Sequence, residues 1–84
     1  MLSSPVQASP GLRRPPPRRV TLSDRQIETL TWAARGKTSA EIARIVGLTK
    51  RTVDFHLDNA RHKLGAATRL ETVIKALTRK LIKL

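Results

Sequence analysis

The chain has 84 residues and carries 17 Lys and Arg against 6 Asp and Glu, a formal net charge of +11. This length allows one small domain. Aromatic residues make up only 2%, so the core must be aliphatic, which favours packed short helices over a β-sandwich. The absence of cysteine excludes disulfides and thiolate metal sites.

The charge predicts a polyanionic partner, with nucleic acid ahead of acidic lipid. No apolar run approaches the roughly 20 residues that span a bilayer. The N-terminus lacks the apolar region of a secretory signal. We therefore expect a cytoplasmic protein that associates with the nucleoid.

The first 20 residues differ from the rest of the chain in composition. All five prolines lie in the first 17 residues, and residues 1–20 contain four arginines and no acid. We expect residues 1–20 to be a disordered Pro/Arg-rich leader or linker, or else a basic arm that adds phosphate contacts. Residues 21–84 form the predicted domain; they hold 13 basic and 6 acidic residues, a difference of +7, so the domain is itself basic.

Four amphipathic helices are predicted after residue 20. Ser23, Thr38 and Thr68 are each followed three positions later by Glu or Gln, the pattern of a capping box. Thr49 is a further cap, and glycines mark three helix ends. The predicted helices cover residues 24–34, 39–46 and 50–64, and the fourth begins after Thr68. The predicted inward positions are Ile27, Leu30, Thr31 and Ala34; Ile42, Ile45 and Val46; Val53, Leu57, Ala60 and Leu64; and Leu70, Val73, Ile74, Leu77 and Leu81.

The second and third predicted helices are separated by only Gly47–Leu48–Thr49, which is the short turn of a helix-turn-helix. A small residue at Ala43 allows the helices to cross closely. Gly47 can adopt the positive φ of a tight turn. Val53 supplies an apolar plug beneath the third helix. In a basic chain, this combination favours DNA binding over a generic helical bundle.

The third helix would then be the recognition helix in the major groove. With Val53 inward, the residues Arg51, Phe55, Asp58 and His62 point outward. Phe55 suits a thymine methyl group or a partner chain. Asp54 and Asp58 suit either an amine of cytosine and the holding of an arginine, or surface ion pairs of small energy.

No enzyme site, metal site or cofactor site is predicted. His56 and His62 are six residues apart, which places them about 240° apart around a helix, so they cannot share a metal ion. His56 is expected to be a structural or phosphate-contacting imidazole. The sequence contains no Gly-rich phosphate loop and no side-chain set suited to a nucleophile.

Three segments, LSDRQIETL, GKTSAEIARIVGLT and TVDFHLDNARHKLGAATRLETV, make residues 21–82 similar to a known family. They resemble the LuxR-type (GerE-like) DNA-binding domain of bacterial transcription regulators. Within that family they are most similar to the acyl-homoserine-lactone (quorum-sensing) receptors. The resemblance implies an all-α, four-helix domain that binds dyad DNA as a dimer, with the third helix reading bases and the fourth contributing to the dimer.

The resemblance also implies roles for individual residues. The implied contacts to the DNA backbone are Thr38, Thr49, Lys50, Arg51 and Thr52. The implied reading or flanking surface consists of Asp54, Phe55, Asp58, Asn59, Arg61 and His62. The implied dimer seam consists of Val73, Ile74 and Leu77, although the same residues could serve the core of one chain.

The chain departs from the family pattern at three points. Gln26 stands where Glu is usual, and Lys80 stands where Gly commonly closes the fourth helix, so the end of the chain could extend that helix. The third departure is the absence of a ligand or receiver domain before residue 21, so we expect no autoinducer binding by this chain.

Two other functions remain to be weighed. The chain could be an isolated domain of a longer protein or a natural stand-alone domain. In the second case it could act as an interaction protein that pairs with a full-length LuxR-type regulator and modulates it. Membrane binding by the basic segment ALTRKLIKL is disfavoured, because the bundle already requires its apolar positions.

Overall fold

The computed structural model describes residues 20–84, so the predictions for residues 1–19 lie outside the described part. Within residues 20–84 the chain forms four helices and no strand. The helices are α1 (Asp24–Ala34), α2 (Ser39–Val46), α3 (Lys50–Leu64) and α4 (Arg69–Thr78). The predicted all-α class, the first three helix ranges and the start of the fourth helix are confirmed.

Helix α3 is the centre of the domain: α1 and α3 each pack against all three other helices, and the contacts of α3 are the more extensive. Its predicted inward stripe is confirmed, since Val53, Leu57, Ala60 and Leu64 are all buried. Leu30 of α1 is also fully buried in the same core. The inward apolar stripe of α3 is thus buried within one chain, and the opposite face of the helix is left to solvent.

The helix starts follow the predicted capping chemistry with one correction. Capping boxes close at the starts of α1 and α2 as predicted. At α4 the Thr68 hydroxyl accepts from Glu71 N, but the Glu71 carboxylate accepts from Ala67 N at 2.7 Å rather than from Thr68 N. Thr68 has φ −134°, against −73° and −77° at the caps of α1 and α2, so its own N–H is turned away from the first helical turn.

Helix α4 stops at Thr78, so the expectation that the C-terminal residues extend it is wrong. Leu81 N donates to Ala76 O at 2.8 Å and Lys80 N donates to Leu77 O at 3.0 Å. These are the two bonds of a Schellman motif, and Lys80 takes its left-handed position with φ +58°. Helices α1, α2 and α3 are likewise each followed by a left-handed residue, which in all three cases is a glycine.

The predicted core requires further corrections. Ile45, Leu70 and Ile74 are 46%, 68% and 52% exposed, so the prediction that they are inward is wrong. No element of residues 20–84 covers them. In α1 the buried stripe is rotated toward Gln26 and Thr29. The predicted residues Ile27, Thr31 and Ala34 are only half-buried. Core residues that the helical pattern missed are Leu22, Ala66, Ala76 and Ile82.

The buried polar side chains of α1 have partners. The Thr29 hydroxyl donates to Arg25 O at 2.8 Å, within its own helix. Gln26 Oε1 accepts from Ser23 N at 2.9 Å and from Lys63 Nζ at 2.9 Å. The same Lys63 Nζ donates to Thr21 O at 3.0 Å. The end of α3 is therefore tied to the segment that enters α1.

Candidate nucleic-acid interface

The turn between α2 and α3 has the geometry that its sequence predicts. Gly47 lies in the left-handed region at φ +75°, and Leu48 N donates to Ala43 O at 2.9 Å. Ala43 is buried where the two helices cross. Thr49 then caps α3 by accepting from Thr52 N at 3.1 Å. The two helices therefore form a compact helix-turn-helix with α3 as the second helix.

The face of α3 opposite Val53 is a continuous exposed surface. Arg51, Phe55, Asp58 and His62 are all exposed along it. Phe55 is 61% exposed, and its ring lies in an edge-type arrangement with the neighbouring His56 ring, with centroids 5.9 Å apart. An aromatic side chain in this position adds nothing to the core. It is available to an apolar group of a partner, such as the methyl group of thymine.

The predicted phosphate contacts lie at the starts of α2 and α3. Thr38 and Thr49 are the exposed N-caps of these helices, and Lys50 and Arg51 are exposed in the first turn of α3. Thr52 Oγ1 lies 2.9 Å from Thr49 Oγ1. Helix N-termini present unpaired backbone N–H groups and a positive dipole end, which together favour anions.

Asp54 lies on the shoulder of α3 and is engaged by three other residues. Its Oδ1 accepts from Ser39 Oγ at the start of α2 and from Arg69 Nη2 at the start of α4, the latter at 3.3 Å. Its Oδ2 accepts from Lys50 Nζ at 3.1 Å. The Ser39 hydroxyl, followed by Lys50 and Arg69, lowers the pKa of Asp54 below its ordinary value. We call Ser39, Asp54, Arg69 and Lys50 the Asp54 junction.

Asp58 is more exposed and holds an arginine. Its Oδ1 accepts from Arg61 Nε at 3.1 Å and Arg61 Nη2 at 2.9 Å, while its Oδ2 lies 3.5 Å from His62 Nδ1. Arg61 Nη1 also donates to Ala66 O at 3.1 Å, beyond the end of α3. Arg61 is therefore a strap between α3 and the next loop, and its guanidinium faces away from the outermost line of the helix. Asn59 lies half-buried on the opposite shoulder.

The predicted dimer seam divides into two parts. Ile74 is exposed, whereas Val73 and Leu77 are partly buried against the core of the same chain. Leu70 lies one turn before Ile74 and is the more exposed of the two. An apolar strip on α4 is therefore left uncovered, and Leu70 belongs to it.

Sequence reasoning missed Ser39 and Arg69 as parts of this surface. Each is 15 positions from Asp54, in another helix, so no helical period connects them. A shallow cleft of about 420 Å³ lies between α3 and the start of α4. Its lining residues are Asp54, Leu57, Asp58, Arg61, Ala67, Thr68 and Arg69. The acids of this cleft are paired with its arginines.

Residues 20–84 lack two further kinds of feature, a metal-binding cluster and a membrane-spanning helix. In residues 20–84, no three His, Asp or Glu side chains are grouped closely enough to hold a metal ion. In the same range, no helix combines the length and apolar character required to cross a membrane.

Curated relatives of this chain are bacterial transcription regulators. The chain is 54% identical over 75 residues to RpaR of Rhodopseudomonas palustris, described as an HTH-type quorum sensing-dependent transcriptional regulator. That alignment covers 88% of this chain and 31% of RpaR. This chain is also 50% identical over 56 residues to the transcriptional activator AnoR of Acinetobacter nosocomialis. The second alignment covers 67% of this chain and 24% of AnoR. The chain thus spans less than a third of the length of these relatives.

Solved structures share the fold. The transcription factor GerE superposes with a TM-score of 0.71 at 22% identity, covering 74% of this chain and 92% of GerE. The structure of the Vibrio cholerae VqmA dimer, described as a LuxR-type receptor, superposes with a TM-score of 0.72 at 28% identity. That match covers 77% of this chain and 30% of the VqmA chain.

A family profile gives the assignment its widest support. The profile described as "Bacterial regulatory proteins, luxR family" (GerE) matches residues 20–76, which is most of the described part of the chain. This range contains α1, α2 and α3, most of α4, the turn at Gly47 and the exposed face of α3. The chain therefore belongs to the luxR family of bacterial regulatory proteins.

Proposed function

We propose that this chain is a DNA-binding transcription regulator domain that reads a dyad operator by inserting α3 into the major groove. One observation carries the proposal. Helix α3 buries its whole apolar stripe inside the chain, yet presents Arg51, Phe55, Asp58 and His62 to solvent beside a tight helix-turn-helix turn. The core needs no further side chain from this face, so the face is available to contact DNA.

The contacts divide by chemistry. Arg51 is suited to guanine or to phosphate, Phe55 to a thymine methyl group, and Asp58 to the amine of cytosine or to holding Arg61. The residues nearest helix starts are suited to the DNA backbone, which positions the protein without specifying sequence. They are Thr38, Thr49, Lys50 and Thr52. Asn59 and His62 complete the proposed reading surface.

The second element of the proposal is a weak homodimer through α4. The exposed strip of Leu70 and Ile74, flanked by Val73 and Leu77, is the part of α4 that its own chain leaves uncovered. A second copy would bury this strip about a two-fold axis and place two recognition helices on two half-sites. The dimeric state described for the relative VqmA supports this arrangement. A DNA partner would locate the chain at the bacterial nucleoid.

The proposal is tested by selecting a dyad operator in vitro and measuring fluorescence anisotropy with that operator and a scrambled version. The titrations are repeated across a salt series. Phosphate contacts weaken steeply with salt on any sequence, whereas base contacts maintain the difference between the two DNAs. We expect the operator to remain the tighter ligand as salt rises. Equal affinities that disappear together would contradict base reading by α3.

The same titrations separate the proposal from the alternative in which the chain modulates a longer regulator. A pure interaction protein would bind neither DNA selectively and would form a complex with a full-length LuxR-type regulator on size exclusion. Selective binding by this chain alone would favour the DNA-reading function.

A further inference from the structure

One carboxylate is the meeting point of three helices. Asp54 in α3 accepts from Ser39 in α2 and from Arg69 in α4. Arg69 Nη2 also donates to Ser39 Oγ at 2.8 Å, so the three side chains form a closed triangle of hydrogen bonds. Ser39 is buried, which holds that corner in place. The Asp54 junction is therefore a built contact between elements rather than a pair on one helix face.

Asp54 has little capacity left for a base. Its Oδ1 already has two donors, and its Oδ2 accepts from Lys50 Nζ at 3.1 Å. Its position is on the shoulder of α3 that faces the start of α4, whereas Asp58 lies on the outermost line of the helix. To accept from cytosine, Asp54 would have to use the remaining lone pair of Oδ2, beside the ammonium group of Lys50.

The residues beside the triangle belong to the two surfaces of the proposed function. Ser39 follows Thr38, the N-cap of α2 and a proposed phosphate contact. Arg69 precedes Leu70, the most exposed residue of the apolar strip on α4. Asp54 itself is in α3, the proposed reading helix. The triangle thus joins the phosphate-contacting end of α2, the reading helix and the dimer helix at one point.

We propose that Asp54 is a positioning residue that fixes α4 relative to α2 and α3, so that dimerisation through α4 sets the spacing of the two recognition helices. This inference rests on the proposed function. The spacing of two half-sites is a geometric consequence of where each recognition helix stands relative to the dimer axis. Movement of α4 about its first residues would make the distance between the two recognition helices variable. The hydrogen bond from Arg69 to Asp54 restricts this movement.

The test compares Asp54→Ala, Arg69→Ala and the double variant on three DNAs: a single half-site, the selected dyad, and the dyad with two base pairs inserted at its centre. Each single variant should bind the half-site within about twofold of the wild type. Each should lose about two- to thirtyfold in its preference for the selected dyad over the lengthened one. The double variant should lose no more than either single variant, because both remove the same contact.

Glu28→Ala is the charge-matched control, since it removes an exposed carboxylate that pairs with Arg25 within α1 and takes no part in the Asp54 junction. It should change the half-site affinity no more than Asp54→Ala does and leave the preference for spacing unchanged. Arg69→Lys retains one donor to Asp54 and should restore part of the spacing preference. Circular dichroism must show wild-type helix content and cooperative unfolding for every variant; a variant that fails this check is replaced by Asp54→Asn or Ser39→Ala, with the same expected result.

Two results would overturn the inference. One is additive losses in the double variant, which would show that Asp54 and Arg69 act independently. The other is a loss in Asp54→Ala confined to one base pair of the half-site, which would make Asp54 a base-reading residue. A wild-type chain that fails to distinguish the operator from scrambled DNA would instead contradict the proposed function itself, so the two failures are distinguishable.

Discussion

Helices α3 and α4 carry similar apolar patterns and use them differently. In α3 every predicted inward residue is buried, and the opposite face carries charge and one aromatic ring. In α4 the fully buried residues are Thr72 and Ala76, while Leu70 and Ile74 face solvent. An apolar stripe predicts that a helix face will be buried, but it does not indicate whether the residues that bury it belong to the same chain or to a partner.

The C-terminal ends of α3 and α4 also differ, in the residue that takes the left-handed conformation. Both stop in a Schellman motif with a left-handed residue, Gly65 after α3 and Lys80 after α4. Lysine bears a steric cost in that conformation that glycine does not. The end of α3 is therefore relaxed and the end of α4 is strained, although the backbone path is the same.

The largest contrast between α3 and α4 should appear in stability. Leu57→Ala removes a buried side chain of α3 and should lower the free energy of unfolding by about 2–5 kcal/mol. Leu70→Ala removes an exposed side chain of α4 and should change it by about 0.5 kcal/mol or less in dilute solution. Urea unfolding followed by the fluorescence of Trp32, the single tryptophan, measures both. Equal losses would mean that Leu70 is covered within one chain.

The next effect concerns the surface of α4. Ile74→Asp places a charge in the proposed dimer seam, where pairing would bury it unpaired. Affinity for the dyad operator should fall about tenfold or more, equivalent to about 1.4 kcal/mol, while affinity for a single half-site is retained. Anisotropy on the two DNAs gives the comparison. A parallel loss on both would place Ile74 in the DNA contact instead of the dimer.

A substitution on the exposed face of α3 should change base preference, and not dimerisation as in α4. Phe55→Ala should weaken binding to the operator by about 1 kcal/mol, at the lower end of the cost of one mismatched base pair. Its effect should be confined to operators with thymine at the contacted position, and the free energy of unfolding should stay within about 0.5 kcal/mol. Competition against operators substituted one base pair at a time locates the contact. An unchanged base preference would exclude Phe55 from reading.

The helix ends provide a paired test of stability. Gly65→Ala should destabilise the domain by about 1 kcal/mol, because φ is +65° and a new Cβ would meet no neighbour that could compensate or clash. Lys80→Gly should stabilise it by up to about 1 kcal/mol, because the residue already lies at φ +58°. Thermal unfolding of both variants checks the signs. A destabilised Lys80→Gly would show that the lysine side chain compensates for its backbone strain.

The smallest effect is the response to acid at the Asp54 junction. The pKa of Asp54 is lowered in the folded chain, so its contribution to stability is present above its ordinary pKa of 3.8 and is lost as pH falls below that value. Glu41 and Glu71 have pKa values lowered by the backbone bonds at their helix starts and act with the same sign. Asp54→Asn should therefore lose less stability than the wild type between about pH 4 and pH 2. Parallel urea midpoints over that range would contradict this assignment.

Much of the fold could be predicted because its signals are local. Helix starts were marked by hydroxyl caps and three helix ends by glycine, and these residues act within one turn of the chain. The stop at Lys80 was missed because lysine carries no such signal. Buried Thr29 and Thr72 were missed because each hydroxyl is satisfied inside its own helix, which lets a polar residue face the core.

The reading surface was predicted better than the contacts beneath it. The wheel of α3 places Phe55 and His62 outward from the position of Val53 alone, and the structure agrees. The Ser39 and Arg69 contacts of the Asp54 junction could not be predicted, because these residues meet Asp54 only through the crossing of three helices. The Lys50–Asp54 pair was within reach of the sequence, since the two residues are four positions apart on one helix. The exposure of Leu70 and Ile74 likewise depends on what lies beside α4, which no periodicity within α4 contains.

The most direct test of the contrast between α3 and α4 is a titration of the ¹⁵N-labelled chain observed by NMR. Addition of the half-site should shift amide signals at the start of α2 and along the exposed face of α3, including Arg51 and Phe55. Dilution of the free chain should shift signals around Leu70 and Ile74 instead. Half-site shifts centred on α4, with α3 unchanged, would contradict the proposal that α3 is the surface that reads DNA.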